Sequence, residues 1–294
     1  MNLEGLLKER LSISGRMIQR LTRKGGLFVN RKKPFLMKKI REGDRVRVLI
    51  ADAPETTLAP VEMPLSILFE DDAVLVVNKP AGLAVHPVKE GQHHTLAHGI
   101  SYYWSMKGRP RAVRPVHRLD KDTSGAVLIA ANSFIHQLLD KQLQTHAIRR
   151  TYLAVVEGHP GREGEGGTIN EPISRDGTHS TRRRVHPGGD MAVTHYNVLE
   201  CFPAVPGVLA KGASLLEVEL ETGRTHQIRV HCSHMGHPLL GDTLYGGSRA
   251  AGMRRQALHA ASLAFDHPVT GERQRVTAPL PEDMEALLKR LRHV

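Results

Sequence analysis

Apolar residues recur at helical spacing near both ends of the chain and at strand spacing between them. Leu3, Leu6, Leu7 and Leu11 make a first stripe. Met17, Ile18 and Leu21 make a second, after Ser14, a residue type that caps helices by accepting from an orphan backbone amide. The opposite face of that second helix carries Arg16, Arg20, Arg23 and Lys24. Gly25-Gly26 stops it, because glycine accepts the left-handed backbone on which helices commonly end. Leu27–Asn30 and Arg45–Ile50 are predicted as short strands, with Asn30-Arg31-Lys32-Lys33 turning after the first.

From Leu65 onward strands dominate. Ala73–Val77, Gly125–Ala131, Thr151–Glu157, Ala192–Leu199, Leu215–Leu220 and Leu258–Phe265 carry the apolar runs. They are separated by Lys79-Pro80-Ala81-Gly82, Gly161–Gly167 and Pro203–Gly212. A helix capped by Asn132 or Ser133 would bury Phe134, Ile135, Leu138 and Leu139. Another starts at Pro281, has Glu282 and Asp283 in its first turn, buries Met284, Leu287, Leu288 and Leu291, and ends in Lys289, Arg290 and Arg292. That charge order suits the helix dipole. The order of elements predicts an α+β fold built on a mixed, mostly antiparallel sheet. It divides into a small N-terminal αβ unit at residues 1–52, a linker at 53–64 without periodicity, and a large domain at 65–294.

Charge sharpens this division. Residues 1–50 hold 14 Lys/Arg against 4 Asp/Glu, a net of +10, while the other 244 residues hold 27 against 26. A solvated face would explain a basic segment, but an excess concentrated in one small unit points to a polyanion partner. No apolar run approaches the roughly 20 residues of a membrane span, and Met1–Arg10 lacks a secretory apolar stretch, so a cytoplasmic protein is expected. Cys201 and Cys232 form no CxxC pair and no disulfide framework.

The polar segment Arg114-Pro115-Val116-His117-Arg118-Leu119-Asp120-Lys121-Asp122-Thr123-Ser124-Gly125 directly precedes the apolar run Ala126–Ala130. It reads as a loop presented by a rigid sheet edge, a common place for reactive groups. The plain alternative is an exposed loop in which Asp120 or Asp122 accepts local backbone hydrogen bonds. His117-Arg118-Leu119-Asp120 followed by Thr123-Ser124-Gly125 resembles the signature of the RluA-type pseudouridine synthases. Further segments resemble the same family in the same order. They are Asn78-Lys79-Pro80-Ala81-Gly82 with His86-Pro87, Arg150-Thr151-Tyr152-Leu153-Ala154-Val155-Val156 and Thr222-Gly223-Arg224-Thr225-His226-Gln227-Ile228-Arg229-Val230-His231. Gly236-His237-Pro238 and Gly241-Asp242-Thr243-Leu244-Tyr245-Gly246 complete the set. Residues 1–50 resemble the small RNA-binding fold named after the fourth protein of the small ribosomal subunit. Within it Arg16, Arg20, Arg23, Lys24, Arg31, Lys32 and Lys33 are the candidate RNA contacts.

The resemblance implies an enzyme that isomerises uridine to pseudouridine in structured RNA, with large-subunit ribosomal RNA as the expected substrate and transfer RNA as the alternative. It places the catalytic aspartate at Asp120, its guanidinium partner at Arg229 and an active-site tyrosine at Tyr152. Breaking the bond from ribose to uracil nitrogen leaves positive character on the sugar, which a carboxylate can stabilise or attack. A carboxylate in a water-poor pocket stays ionised only beside a cation, and arginine supplies one that is always charged. From the residues alone either Arg224 or Arg229 can be that cation. If Thr225 caps a helix, Ile228, Arg229 and Cys232 share its inward side and Arg224 precedes it, in an outer supporting or phosphate-binding role.

By the same resemblance, Ile228 is expected to wall the uracil pocket, His117 to contact substrate, and Arg118 to fill the gap left by the extruded base. Tyr152 lies in a strand-like run where an aromatic residue is most often simple core; in the role the resemblance implies, it would stack on the uracil and take the proton from the newly substituted ring carbon. Whether Asp120 adds to the ribose, adds to the ring or removes a sugar proton is open. An isomerisation changes no oxidation state, so no cofactor is expected, and a monomer is the default. His226, His231, His234 and His237 with Cys232 do not fit the usual zinc spacings, and no metal is expected. A noncatalytic RNA-binding factor would suit the basic head equally, but binding alone does not need Asp120, Tyr152 and Arg229 together.

Overall fold

The computed structural model describes residues 1–50, 58–207, 209–249 and 252–293. A short helix α1 (Leu3–Gly5) runs into a π-helical turn, Leu6–Arg10. The wider π turn rotates Leu11 off the stripe predicted for a regular helix, and that side chain is exposed while Leu3 and Leu7 are buried. Helix α2 (Gly15–Lys24) starts where Ser14 accepts from the Met17 amide and stops at Gly25, whose φ is 68°. Strands β1 (Leu27–Val29) and β2 (Val46–Val48) pair antiparallel. Leu3, Leu7, Ile13, Met17, Ile18, Leu21, Leu27 and Val29 form an apolar cluster of their own.

The main sheet begins with β3 (Ser66–Glu70) and β4 (Val74–Lys79), followed by helix α3 (Leu96–Met106). Next come β5 (Arg114–Pro115), β6 (Ser124–Ala130), helix α4 (Ser133–Gln144) and β7 (Arg149–Glu157). A basic excursion holds β8 (Gly166–Asn170) and the hairpin of β9 (Ile173–Arg175) and β10 (Arg183–Val185). The long strands β11 (Val193–Phe202) and β12 (Ala213–Leu220) lead to helix α5 (Gln227–His234). Strands β13 (Leu258–Asp266) and β14 (Arg273–Thr277) and helix α6 (Glu282–Arg292) finish the chain.

Among the described residues ten strands make one sheet in the order β3-β4-β6-β13-β7-β12-β11-β8, with β5 on β6 and β14 on β13. Every pairing is antiparallel except β13 with β6, which run parallel over only two pairs, His259 with Ser124 and Ala260 with Gly125. This is the mixed, mostly antiparallel α+β sheet that the apolar runs predict. Strand β6 is buried on both faces: Val127 and Ile129 join the core under α3, and Ala126, Leu128 and Ala130 the core under α4. The C-terminal helix buries Met284, Leu287, Leu288 and Leu291, as its periodicity predicts.

Of the linker expected at 53–64, residues 53–57 lie outside the described residues. Leu58 packs on the main core and the Val61 amide donates to the His98 carbonyl at 3.2 Å, so 58–64 runs along α3. The N-terminal cluster meets the rest of the chain at α4. Phe134 packs on it, Gln137 Nε2 donates to the Ser12 carbonyl, and Arg20 Nη2 donates to Ser133 Oγ at 2.8 Å.

Candidate active site

The loop between β5 and β6 is tied down from several directions. Thr123 donates its amide to the Asp120 carbonyl at 3.1 Å. Lys79, at the end of β4, is fully buried and donates from Nζ to the carbonyls of Pro80 at 2.9 Å, Leu83 at 2.7 Å and Lys121 at 3.0 Å. One ammonium thus fastens the turn after β4 to the residue following Asp120. Burial pushes its pKa down to about 7, against the pull of Asp122 and Asp120. Arg255 Nη1 holds the Asp122 carbonyl at 3.0 Å from the other side. Gly125 has φ 115°, and a Cβ there would lie 2.2 Å from the Ala260 carbonyl oxygen, so only glycine lets β13 approach the end of this loop.

His117 lies beneath the loop. Its Nε2 accepts from the Leu128 amide at 3.2 Å, and burial with the nearby Arg150 charge drives the imidazole down to about 3, leaving it neutral. The neighbouring Arg118 is exposed.

Asp120 meets α5. Arg229 Nη1 donates to Asp120 Oδ2 at 3.1 Å. The rest of the guanidinium grips Asp242, with Nε donating to Oδ2 at 2.7 Å and Nη2 to Oδ1 at 2.8 Å. This two-point fork fixes the plane of the arginine and aims its third edge at Asp120. Burial alone would lower the guanidinium's pKa; hydrogen bonds and charge from Asp242, joined by Asp120, outweigh it and hold the group above its ordinary value. Asp120 remains 24% exposed, whereas Asp242 is almost wholly covered at 1%.

The helix does not start as the sequence reading has it. Thr225 is exposed and α5 begins at Gln227, after His226 at φ 61°. Among the described residues no side chain caps its first turn; Gln227 instead ties down the turn before it, its Oε1 accepting from the Arg224 amide at 2.9 Å and from Thr222 Oγ1 at 2.7 Å. Its Nε2 donates to the Val193 carbonyl and to Thr194 Oγ1. Ile228, Arg229 and Cys232 are nonetheless buried together. Arg224 is exposed, its Nε donating to the Met191 carbonyl at 3.0 Å.

Tyr152 sits on the buried face of β7, in the same core as Ile228 and Val218. Burial raises its phenol's pKa; Arg150 opposes and the Asp120 charge adds to the rise. Asp120, Tyr152, Ile228 and Arg229 therefore converge, while Arg118 and Arg224 stand on the exposed side. Among the basic head residues, Arg16, Arg23, Lys24, Arg31, Lys32 and Lys33 are exposed and Arg20 turns toward α4.

Asp242, Tyr245 and Lys79 were not singled out from the sequence, and His226 was weighed only as a metal ligand, although each stands in one of the segments that carry the resemblance. Tyr245 lies under Arg229, with Cζ 4.9 Å from its ring centre. His226 Nε2 is 3.9 Å from Asp120 Oδ2. Among the described residues no group of three or more His, Cys, Asp or Glu is placed to hold a metal, and no helix is long and apolar enough to cross a membrane. His231 is bound to Thr194 and the Glu171 carbonyl, His237 to the Glu157 carbonyl, and burial pushes the Cys232 thiol up to about 12.

Comparison with known proteins bears on what this arrangement does. The RNA pseudouridylate synthase family pattern matches residues 73–234, more than half of the chain. The uncharacterized RNA pseudouridine synthase YhcT of Bacillus subtilis is 44% identical over 97% of this chain and 91% of its own length. Ribosomal large subunit pseudouridine synthase D of Xanthomonas campestris is 42% identical over 86% of this chain and 77% of its own. Among solved structures, human RNA pseudouridylate synthase domain containing 1 superposes with a TM-score of 0.58 at 26% identity, covering 79% of this chain and 96% of that one. By the extent of these matches and the residues that carry them, the chain belongs to the RNA pseudouridine synthases of RluA type, enzymes that isomerise uridine in RNA.

Proposed function

We propose that the enzyme modifies a uridine of large-subunit ribosomal RNA, with Asp120 as the reacting carboxylate and Arg229 and Tyr152 as its partners. The observation that carries this reading is the Asp120 side chain, partly open to solvent and held on one oxygen by a buried guanidinium. Such a carboxylate is an anion with a free oxygen, suited to meet the positive sugar that forms as the N1–C1′ bond breaks. The bonding pair leaves with uracil. The ring then turns, C5 bonds to C1′, C5 loses its proton and N1 gains one, so the atoms balance without a cofactor.

Ile228 supplies an apolar wall and Tyr152 a flat, neutral ring. With its pKa raised, the phenol is neutral before reaction, and it takes the C5 proton as its own passes to N1, the ring nitrogen that gains one. Exposed Arg118, two residues from Asp120, suits the gap left by an extruded base, where its planar cation can stack and hydrogen-bond. Arg224 suits a phosphate, and His117 supports the loop from behind. The relatives named ribosomal large subunit pseudouridine synthase D support the choice of RNA. Mapping pseudouridines in RNA from cells lacking this gene should show the loss of one or a few sites in large-subunit ribosomal RNA; intact ribosomal RNA with sites lost from transfer RNA would overturn the substrate.

Residues 1–52 are proposed as a separate RNA-binding unit and 65–294 as the catalytic domain of a monomer. Changing Arg23, Lys24 and Lys33 to Ala should weaken RNA binding and reduce the slope of log affinity against log salt by about two, as expected when two or three phosphate contacts are lost. An unchanged slope would remove the basic head from the interface.

A further inference from the structure

His226 is a non-glycine residue in the left-handed region, φ 61° and ψ 19°, at the entry to α5. That conformation is costly for a residue with a Cβ and persists where the surroundings impose it. Here it turns the imidazole into the site, 15% exposed, with Nε2 3.9 Å from Asp120 Oδ2 and Nδ1 2.7 Å from Tyr245 Oη. The two rings meet edge to face, with centroids 5.6 Å apart.

The hydrogen-bond directions decide where the imidazole carries its proton. The Arg183 amide, in β10, donates to Tyr245 Oη at 2.9 Å. With that lone pair used, the phenol has one proton to give, and His226 Nδ1 is the acceptor beside it. Nδ1 as acceptor puts the ring proton on Nε2, the nitrogen that lies 3.9 Å from Asp120 Oδ2. The other tautomer would leave the phenol proton without a partner and set a lone pair against an anion. A charged ring is disfavoured: burial lowers the imidazole's pKa and outweighs the upward pull of Asp120 and Asp242, which the Arg229 and Arg183 charges partly offset.

We propose that His226 is a positioning residue for Asp120. Resting on the assignment of Asp120 as the reacting group, its neutral Nε2–H and Arg229 Nη1 both address Oδ2, so that Oδ1 is the oxygen presented to the ribose. The chain Arg183 N–H, Tyr245 O–H, His226 Nε2–H makes the tautomer depend on the β9–β10 hairpin, whose Arg182 guanidinium also lies 5.9 Å above the Tyr245 ring. A hairpin bearing Arg175, Arg182, Arg183 and Arg184 is thereby coupled to the orientation of the carboxylate 63 positions earlier than Arg183 in the chain.

Single-turnover conversion of a uridine-containing substrate RNA tests this. His226→Ala should slow the chemical step about ten- to a hundredfold, as a misaimed reacting group does, with RNA affinity unchanged. His226→Gln places an amide N–H at the same bond distance as Nε2 and should recover most of the rate; His226→Met, of the same shape without the N–H, should not. Equal rates for Gln and Met, or a wild-type rate for Ala, would overturn the proposal. The unmodified enzyme gives an independent reading: in protein labelled with ¹⁵N-histidine, His226 should resonate as the Nε2–H tautomer, and Tyr245→Phe should erase that preference. An Nδ1–H or doubly protonated ring at neutral pH would also overturn it. Asp120→Asn separates the two levels. If that variant keeps activity, the parent assignment fails; if it is inactive while His226→Met is fully active, only the role of His226 fails.

Discussion

Asp120→Asn is expected to lower single-turnover uridine isomerisation by about four orders of magnitude or more while RNA binding persists. The amide keeps the shape of the carboxylate and can still accept from Arg229 Nη1, now 3.1 Å from Oδ2. What it loses is the negative charge, and neither stabilisation of a sugar cation nor attack on carbon nor removal of a sugar proton can proceed well without it. Arg229 stays paired through its two bonds to Asp242, so the fold should be barely affected. The check is conversion of labelled uridine measured beside a binding isotherm on the same RNA. Wild-type turnover in this variant would move the chemistry to another residue, and loss of binding in proportion to activity would favour a recognition role.

Asp242→Ala is expected to cost about 3–5 kcal/mol of folding stability, the typical penalty for leaving one member of a buried ion pair alone. Asp242 is 1% exposed and Arg229 8% exposed, so water cannot replace the lost partner cheaply. The remaining anion in reach is Asp120, and a guanidinium released from its fork would turn toward that carboxylate and take up the oxygen it is meant to leave free. Activity should therefore fall even where the variant is folded. Urea unfolding of the two proteins measures the first effect, and a loss below about 1 kcal/mol would show that the pair is not what holds Arg229 in place. Asp242→Asn, which preserves an acceptor, should lie between the two.

Strands β4, β6, β7, β12 and β13 were legible because buried strands are written as continuous or alternating apolar runs. Helix α3 was not. Its buried residues include His98, Gly99 and Ser101 alongside Leu96, Ala97, Ile100 and Trp104, so it has no polar face to set a helical period. The hairpin β9–β10 was equally hidden, because short strands carrying Arg175, Arg183 and Arg184 look like loop until their pairing is seen.

The same division runs through the site. Asp120, Tyr152 and Arg229 were named in advance through the family resemblance, while the residues by themselves left both Arg224 and Arg229 open as the cation. Asp242 could not be paired with Arg229 in that way, since a contact across 13 residues and an intervening turn leaves no local pattern. Thr225 looked like a helix cap by residue type, yet the left-handed His226 and the inward Gln227 start α5 instead. Propensity describes what a residue does alone; these two are governed by what lies opposite them.

The parallel seam of two residue pairs between β6 and β13 has a bearing on biosynthesis. Asp120 belongs to one side of it and Tyr152 with Arg229 to the other, and the partners of the Asp120–Arg229 contact are 109 positions apart. Strand β13, which joins the sides, is made after all three. A nascent chain thus carries Asp120, Tyr152 and Arg229 before β13 exists to join the two sides, so the proposed site is assembled only once that strand has docked.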